Sequence, residues 1–271
     1  MNNTQRGNAG NGSVLSYLLD PRAISVMTVA IILSIWQLVA AAGLYANFIL
    51  PAPIEVFNAF VSAVSSGYAG SSLAEHYGIT LMRVFVAWLA ASVAAAGIGL
   101  AMGMFGKVRS SLDPFIEFYR PIPPLAYLIL IIIWLGVGEV AKIVFLFLTA
   151  FPPIVIATAS AVKGVRVERI NGAKSLGANS WQIFLYVIAP SCIPGIFAGM
   201  RVSFAWTYST IIAAEMVASN SGLGFVVLHA QRYLNTDVIF MAIFLMAFTG
   251  IAFEQILRRL QTRLVPWAGR N

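Results

Sequence analysis

Two ionisable residues inside long apolar stretches are the first candidates for chemistry. Glu215 and Arg201 lie in the same apolar run, and a charged side chain in the middle of a bilayer costs about 2.5 to 3.5 kcal/mol on an insertion scale. Each must therefore face protein or water. Glu215 is predicted either to line a gate or to bond a neighbouring turn at a helix end, and both interpretations stay open. Arg201 either assists an anion through a pore or snorkels to the membrane interface, and the second is favoured.

Residue types that carry enzymatic or metal chemistry are sparse and poorly spaced. His76 and His229 are far apart, with no GxSxG nucleophile motif near them. Cys192 is the single cysteine and no CxxC or HExxH pattern is present, which argues against a disulfide, a structural zinc or a metalloprotease site. The Gly-Lys pair at 106–107 is followed by valine and does not complete a GxxxxGK(S/T) phosphate loop. We therefore expect no enzyme activity and no cofactor bound by this chain.

The composition is typical of a protein that crosses a membrane several times. Hydrophobic residues make up 59% and charged residues 10% of the 271 residues, and the mean hydropathy is +0.84. A soluble domain has about 25% charged residues, so too little polar surface is present here to coat a water-soluble globule. The 17 Lys and Arg against 10 Asp and Glu therefore bear on membrane orientation and not on nucleic-acid binding.

Six apolar runs are long enough to cross a bilayer, which takes about 20 residues. We expect an all-α protein with a single six-span domain over 24–257, between tails at 1–23 and 258–271. The third span is the least regular, because the prolines of its Arg120–Pro124 start do not fit an ordinary helix interior. The predicted spans are Ile24–Gly43, Leu81–Phe105, Phe115–Val137, Ala141–Val162, Gly195–Ala218 and Val238–Leu257.

Two local patterns inside the spans bear on packing and on a path for solute. Pro152-Pro153 falls in the middle of the fourth span and predicts a break, which frees carbonyls that must be buried or line a wet cavity. Such a break suits a translocation path and equally a kink needed for packing. In the second span small residues recur every four positions, which favours close helix packing over a pore-lining or subunit-interface role. They are Ala87, Ala91, Ala95, Gly99 and Gly103.

The cations are unequally divided between the predicted loops. The segments on one side hold twelve Lys and Arg, and those on the other side hold one, Arg232. By the positive-inside rule both termini are predicted to be cytoplasmic. Arg83 is then expected to anchor the second span at the external headgroups, and Glu139 with Lys142 to form a solvated pair worth little. The turn 219–224 is either a plain loop or a segment that re-enters or gates at the external mouth.

The main polar segment between the predicted spans is one cytoplasmic loop, Lys163–Pro194. Apolar residues at three-residue spacing predict a short helix over 165–176, which Gly177 ends. A second short helix is predicted over 181–187, closed by the two prolines that follow it. Such a basic loop either lies on the anionic inner leaflet or docks into the groove of a partner.

Residues 171–177, Asn-Gly-Ala-Lys-Ser-Leu-Gly, with Pro190 thirteen residues after the glycine, resemble the "EAA" loop of permease subunits from bacterial ABC importers. That pattern reads Glu-Ala-Ala, three residues, Gly, nine residues, Ile, any residue, Leu, Pro. The chain departs from it at Asn171, Gly172, Val187 and Ala189. The resemblance implies that an ATPase docks on Asn171, Gly172, Ala173, Lys174, Leu176, Gly177 and Pro190.

Other stretches resemble the taurine, alkanesulfonate and nitrate branch of that family. Pro114–Lys142 is similar to the segment between the second and fourth spans of that branch. The wording Arg-Pro-Ile-Pro-Pro-Leu-Ala-Tyr at 120–127 and the Pro-Trp tail at 266–267 are most similar to taurine permeases. Shorter matches are Leu50–Pro53, Gly199–Arg201, Ala214-Glu215, Gly222–Gly224 and Leu264–Trp267.

The resemblance implies a type I ABC importer permease fold in the bacterial inner membrane. It also implies a homodimer that docks two cytoplasmic ATPases, which bind ATP and Mg²⁺, and a periplasmic substrate-binding protein that delivers solute. The candidates for the translocation path or gate are Glu215, Arg201, Pro152 and Pro153. Taurine is the expected solute, with another alkanesulfonate, nitrate or an aromatic acid as alternatives. A passive channel is disfavoured, because a channel needs no ATPase-docking loop.

Overall fold

The computed structural model describes residues 21–43 and 49–265. The N-terminal tail through residue 20, the Pro-Trp tail, and the cations Arg6 and Arg270 lie outside the described residues. Apart from one isolated bridge between Tyr68 and Ser71, the regular elements of the described part are helices. In chain order they are α1 Pro21–Ala41, α2 Pro53–Ser66, α3 Leu73–Met104, α4 Gly106–Tyr119, α5 Pro124–Leu135, α6 Glu139–Lys163, α7 Val167–Ser175, α8 Ser180–Ala218, α9 Leu223–Arg232 and α10 Thr236–Leu264.

The number of spans agrees with the sequence-based prediction. Five of the described helices are long and apolar enough to cross a membrane, and a sixth span results when the bent pair α4 and α5 is counted as one. The second span begins at Leu73 and not at the predicted Leu81. Ser72 explains the earlier start, because its hydroxyl caps the helix by accepting a hydrogen bond from the N–H of Glu75 at 3.1 Å.

The third span, predicted over Phe115–Val137 with an irregular start at its prolines, is broken into two helices. It consists of α4 and α5, which are bent by 101° at the intervening residues. A residue before proline is pushed out of the helical region, and prolines supply no N–H to the helix ladder, so the Arg120–Pro124 run interrupts the helix. Pro123 is the N-cap of α5 and Pro124 its first residue, a position that proline suits well.

Prolines in the fourth span do not break it. α6 runs without interruption from Glu139 to Lys163, so the predicted break at Pro152-Pro153 is wrong. Packing against neighbouring helices keeps the segment helical, but the two prolines still lack an N–H for the carbonyls of Leu148 and Thr149, four residues earlier.

Prolines also fail to end the helix that contains the fifth span. α8 is one helix of 39 residues, Ser180–Ala218, and includes both Pro190 and Pro194. The separate helix predicted after residue 180, closed by these prolines, is therefore wrong. A π turn over Phe184–Ile188 directly precedes Pro190. It shifts the hydrogen-bond register by one residue and so accommodates the missing N–H. The predicted loop thus shrinks to 164–179, with α7 in its middle.

α3, α6 and α8 pack together through small residues at the centre of the bundle. A Cβ atom added to Gly99 of α3 would lie 2.6 Å from Thr158 Cβ on α6, and one added to Gly103 would lie 2.3 Å from Val162 Cβ. Gly199 of α8 approaches α6 as closely, because an added Cβ would lie 2.6 Å from a neighbouring alanine Cβ. The predicted use of the small-residue stripe in bundle packing is confirmed.

The bundle has two ends that differ in chemistry. At one of them, which we term the Glu215 end, side chains of α3, α6 and α8 meet and α9 turns back into the bundle. At the other, which we term the loop-helix end, Gly103 of α3 packs beside the end of α6, and α7 follows in the chain.

Candidate functional site

The loop helix α7 ends at Gly177, as the sequence predicts. Gly177 has φ +83°, in the left-handed region that favours glycine. Its N–H donates to Lys174 O at 2.9 Å, and the N–H of Ala178 donates to Ala173 O at 3.1 Å. These two bonds form a Schellman cap, which fixes the direction in which the chain leaves α7.

A shallow groove of about 310 Å³ lies between the end of α7 and the first turns of α8. Leu176 at this groove is 90% exposed and Tyr186 is 73% exposed. Contiguous exposed apolar surface marks interaction sites. Of the predicted coupling residues, Ala173, Leu176 and Gly177 line the groove, Asn171, Gly172 and Lys174 are exposed on α7, and Pro190 lies further along α8, outside the lining.

Glu215 is fully buried and forms an ion pair with Arg83 of α3. Arg83 Nη1 donates to Glu215 Oε1 at 2.7 Å, and Thr80 Oγ1 donates to the same oxygen at 2.9 Å. The backbone N–H of Gly224 donates to Oε2 at 2.8 Å. These donors offset the desolvation of the carboxylate. Glu215 thus bonds the turn that follows its own helix, while a role in gating stays a prediction.

Arg83 extends this network to a third span. Its Nε and Nη2 donate to the two carboxylate oxygens of Glu139 at 2.6 Å each, a bidentate arrangement that is strong and directional. Lys142 Nζ donates to Glu139 at 2.9 Å, and Lys142 is 4% exposed. The predicted headgroup anchor at Arg83 and the predicted solvated Glu139–Lys142 pair are therefore wrong. Arg83 is buried because carboxylates of α6 and α8 match its charge. Lys142 is buried because its ammonium donates to Glu139 on its own helix and to Ser219 Oγ at 3.1 Å.

The turn at 219–224 closes over this network. Gly222 has φ +110°, and a Cβ added there would lie 2.3 Å from Glu215 Oε1. His76 Nδ1 accepts a hydrogen bond from the N–H of Gly222 at 3.2 Å, so Nε2 carries the proton and donates to Tyr68 O at 3.0 Å. The segment turns back into the bundle in place of a solvated loop. No local pattern in the sequence indicates the contact that His76 makes with this turn.

Arg201 pairs with Glu254 of α10. Its Nε donates to Glu254 Oε1 at 2.9 Å, its Nη2 contacts the same oxygen, and its Nη1 lies 3.4 Å from Gln261 Oε1. Neither predicted role of Arg201 included this partner. A signal was present, because Glu254 is the only acidic residue of the predicted sixth span and a carboxylate in an apolar run requires a partner.

A cavity of about 700 Å³ lies at the bend between α4 and α5. Its walls are the bend itself, the proline pair of α6 and one face of α8. Glu215 and Arg201 do not line it, so the four predicted path residues do not form one site. Arg120 was not predicted as a site residue, although it is the only cation of the predicted third span. The lining includes Tyr119, Arg120, Tyr127, Pro152, Pro153 and Trp206.

The chain is similar to known membrane transport proteins, of which one family model and three relatives follow. Residues 93–268 match the family described as "Binding-protein-dependent transport system inner membrane component". The chain is 40% identical to the taurine transport system permease protein TauC of Escherichia coli (strain K12), over 91% of this chain and 90% of that protein. It is 32% identical to the putative aliphatic sulfonates transport permease protein SsuC of the same strain, over 87% and 89%. It is 28% identical to the nitrate import permease protein NrtB of Synechocystis sp., over 93% and 93%.

Solved structures with a similar fold include two ABC transporters. A crystal structure of an amino acid ABC transporter with histidines matches with a TM-score of 0.55 and 17% identity, over 82% of this chain and 99% of that chain. An inward-facing MetNI methionine ABC transporter matches with a TM-score of 0.51 and 19% identity, over 66% and 92%. At these identities the likeness concerns the fold, which is that of a type I ABC importer permease.

Proposed function

Because the chain belongs to the family of binding-protein-dependent transport system inner membrane components, we propose that it forms the solute path of an ATP-driven importer for taurine. It is a multi-pass permease of the group that contains taurine, sulfonate and nitrate permeases. The choice of taurine rests on one observation: the identity to the taurine permease is 40%, against 32% and 28% to the sulfonate and nitrate relatives. Another alkanesulfonate or nitrate is the alternative solute.

The proposed importer takes its energy from other chains, because this sequence has no phosphate-binding loop. Two copies of the permease surround the path, and each docks one ATPase that binds ATP and Mg²⁺. The docking surface is the groove beside Leu176, since an exposed apolar helix end inserts readily into a partner. A periplasmic binding protein delivers the solute at the Glu215 end.

Helix α8 supports a direct mechanical link between the two ends. It starts beside the docking groove, where Tyr186 lines the wall, and it continues without a break to Glu215. When the ATPases close on ATP, the push on α7 passes along α8 and rocks the spans from inward-facing to outward-facing. Hydrolysis of ATP resets them.

The proposed orientation places both termini in the cytoplasm of a bacterial cell, on the strength of the twelve-to-one distribution of cations. Reporter enzymes that work only in the periplasm should be active when fused between Ser219 and Asn235. The same reporters should be inactive when fused after Asn271, and activity there would reverse the orientation.

The proposed solute is tested by transport in proteoliposomes that contain the permease, its ATPase and its binding protein. Labelled taurine should accumulate only when ATP is supplied on the ATPase side. Excess unlabelled taurine should abolish this uptake. If excess taurine leaves the uptake of another sulfonate or of nitrate untouched, the importer is specific for that anion and taurine is the wrong solute.

A further inference from the structure

The cavity at the bend between α4 and α5 contains a cation without a partner. Arg120 is the only charged residue in the cavity lining. Arg83 and Arg201 are each bound to carboxylates, and Arg109 is bound to Asp113. Within residues 21–43 and 49–265 the guanidinium of Arg120 has no ion pair or side-chain hydrogen bond. Its donors are available to a ligand.

The bend lies inside the bilayer. α5 has 12 residues, which at about 1.5 Å per residue is roughly 18 Å, short of the roughly 30 Å hydrocarbon core. The start of α5 therefore cannot reach the far border of the membrane. Irregular backbone and an unpaired cation are tolerated at such depth only where they line a water-filled space. The cavity of about 700 Å³ is such a space.

The part of the cavity lining that α6 supplies includes two backbone acceptors without their usual donors. Pro152 and Pro153 have no N–H for the carbonyls of Leu148 and Thr149, and all four residues line the cavity. A carbonyl deprived of its intrahelical donor retains its full capacity to accept a hydrogen bond.

Two tyrosines add hydroxyl groups to the cavity. Tyr127 Oη lies 3.0 Å from Thr149 Oγ1. Tyr119 Oη is buried, and in the described part of the chain it has no hydrogen-bond partner. A buried hydroxyl without a partner is available to a ligand or to water.

From this arrangement we propose that the cavity is a binding station for a small zwitterion on the translocation path. Arg120 binds the sulfonate, and the carbonyls of Leu148 and Thr149, with the hydroxyl of Tyr119, bind the ammonium group. A guanidinium suits an oxyanion because several of its N–H groups point the same way, and an ammonium needs up to three acceptors. The proposal deepens the proposed function and rests on it, since taurine has both groups.

Removal of the charge at Arg120 tests the station in the complete importer. In proteoliposomes with ATPase and binding protein, Arg120→Gln should lower taurine uptake roughly tenfold to a hundredfold, the range expected for lost charge-assisted hydrogen bonds. ATP hydrolysis stimulated by the binding protein should stay within about twofold of wild type, which corresponds to a difference of about 0.4 kcal/mol. Less solute should thus cross for each ATP.

Two matched variants separate binding from structure. Arg109→Gln removes the same charge from α4 at a residue outside the cavity lining, and it should transport as wild type does. Arg120→Lys keeps the charge and should give uptake between that of wild type and Arg120→Gln. If Arg109→Gln lowers uptake as much as Arg120→Gln does, the loss does not depend on the cavity and the station is wrong.

A labelling experiment detects the ligand without transport. Ala198→Cys places a thiol on the cavity wall, and the natural Cys192 is buried and does not interfere. Excess taurine should slow the reaction of this thiol with a maleimide in the assembled complex. Adding Arg120→Gln should remove the protection, whereas a thiol at Ser111, which is exposed on α4 outside the cavity lining, should react at the same rate with or without taurine.

The outcomes separate the two proposals. If the wild-type importer takes up no taurine, the proposed function fails. If it takes up taurine, but Arg120→Gln does so at the wild-type rate or the protection of Ala198→Cys survives Arg120→Gln, the function stands and the binding station is overturned.

Discussion

The Glu215 end and the loop-helix end use opposite chemistry. At the Glu215 end, charged side chains are buried, and Arg83 and Glu215 find their partners within the chain. At the loop-helix end, the groove beside Leu176 is exposed and apolar. A buried ion pair depends on each partner being present, whereas an exposed apolar groove gains free energy only when another surface covers it. The first end therefore holds the permease together, and the second is suited to a partner.

The largest expected effect is the loss of Glu215. Glu215→Ala leaves the buried Arg83 with Glu139 as its one carboxylate partner and removes the acceptor for Gly224. Breaking a buried pair in this way should lower the free energy of unfolding by about 3 to 5 kcal/mol, measured by denaturant unfolding of the purified permease. Arg109→Ala breaks a partly exposed pair and should cost less than about 1 kcal/mol. Equal losses in the two variants would contradict the comparison.

A second prediction concerns the turn over the network. Gly222→Ala places a Cβ 2.3 Å from the Glu215 carboxylate at a residue with φ +110°. Gly70 has a similar φ of +89°, but no atom lies within 4 Å of an added Cβ. Gly70→Ala should therefore show the backbone cost alone, about 1 to 2 kcal/mol. Gly222→Ala should cost about 1 to 3 kcal/mol more because of overpacking. Thermal unfolding of both variants measures the difference, and equal losses would mean that the turn does not constrain the carboxylate.

Local sequence patterns predict the loop-helix end better than the Glu215 end. Apolar spacing and Gly177 correctly indicate α7 and its end, because a helix and its cap depend on neighbouring residues. The partner of Arg83 is Glu215, 132 residues away, and no local pattern indicates such a pairing. Local patterns therefore place Arg83 at the headgroups, whereas it lies in the core.

The prolines show the same limit. The run at Arg120–Pro124 bends the third span, as its irregular start suggested. Pro152-Pro153 and Pro190 do not end their helices. A proline removes one hydrogen bond in every case, and what decides the outcome is whether neighbouring helices or a π turn restore the rest. That information lies in the tertiary packing and not in the proline itself.

A third prediction tests the loop-helix end by its partner. Ala173→Glu puts a carboxylate into the docking groove, and Gly177→Val opposes the left-handed cap. Each should weaken ATPase association by about 2 to 3 kcal/mol. Ala173→Glu should leave the unfolding of the permease unchanged, whereas Gly177→Val should also cost about 1 to 2 kcal/mol of unfolding free energy, because Gly177 has φ +83°. Co-purification of a tagged ATPase and transport-coupled ATP hydrolysis measure the effect.

The alternative role of this loop predicts a different pattern. If the loop lies on the anionic inner leaflet, Arg166→Gln and Lys174→Gln should each lose roughly 1 kcal/mol of attraction to lipid, while Ala173→Glu and Gly177→Val keep the ATPase. Undiminished association and hydrolysis in both groove variants would rule out coupling through α7.

The smallest expected effect concerns an ion pair that is neither fully buried nor fully exposed. Arg201 and Glu254 join α8 to α10, and their side chains are 31% and 46% exposed. Water reaches such a pair and screens it, so its coupling energy should be about 1 kcal/mol or less. A double-mutant cycle of Arg201→Gln and Glu254→Gln, measured by denaturant unfolding, isolates that energy from the effects of each residue alone. A coupling of 3 kcal/mol or more, as expected for the buried Arg83–Glu215 pair, would show that burial is not what distinguishes the two pairs. The contrast between the ends of the bundle would then rest on geometry alone.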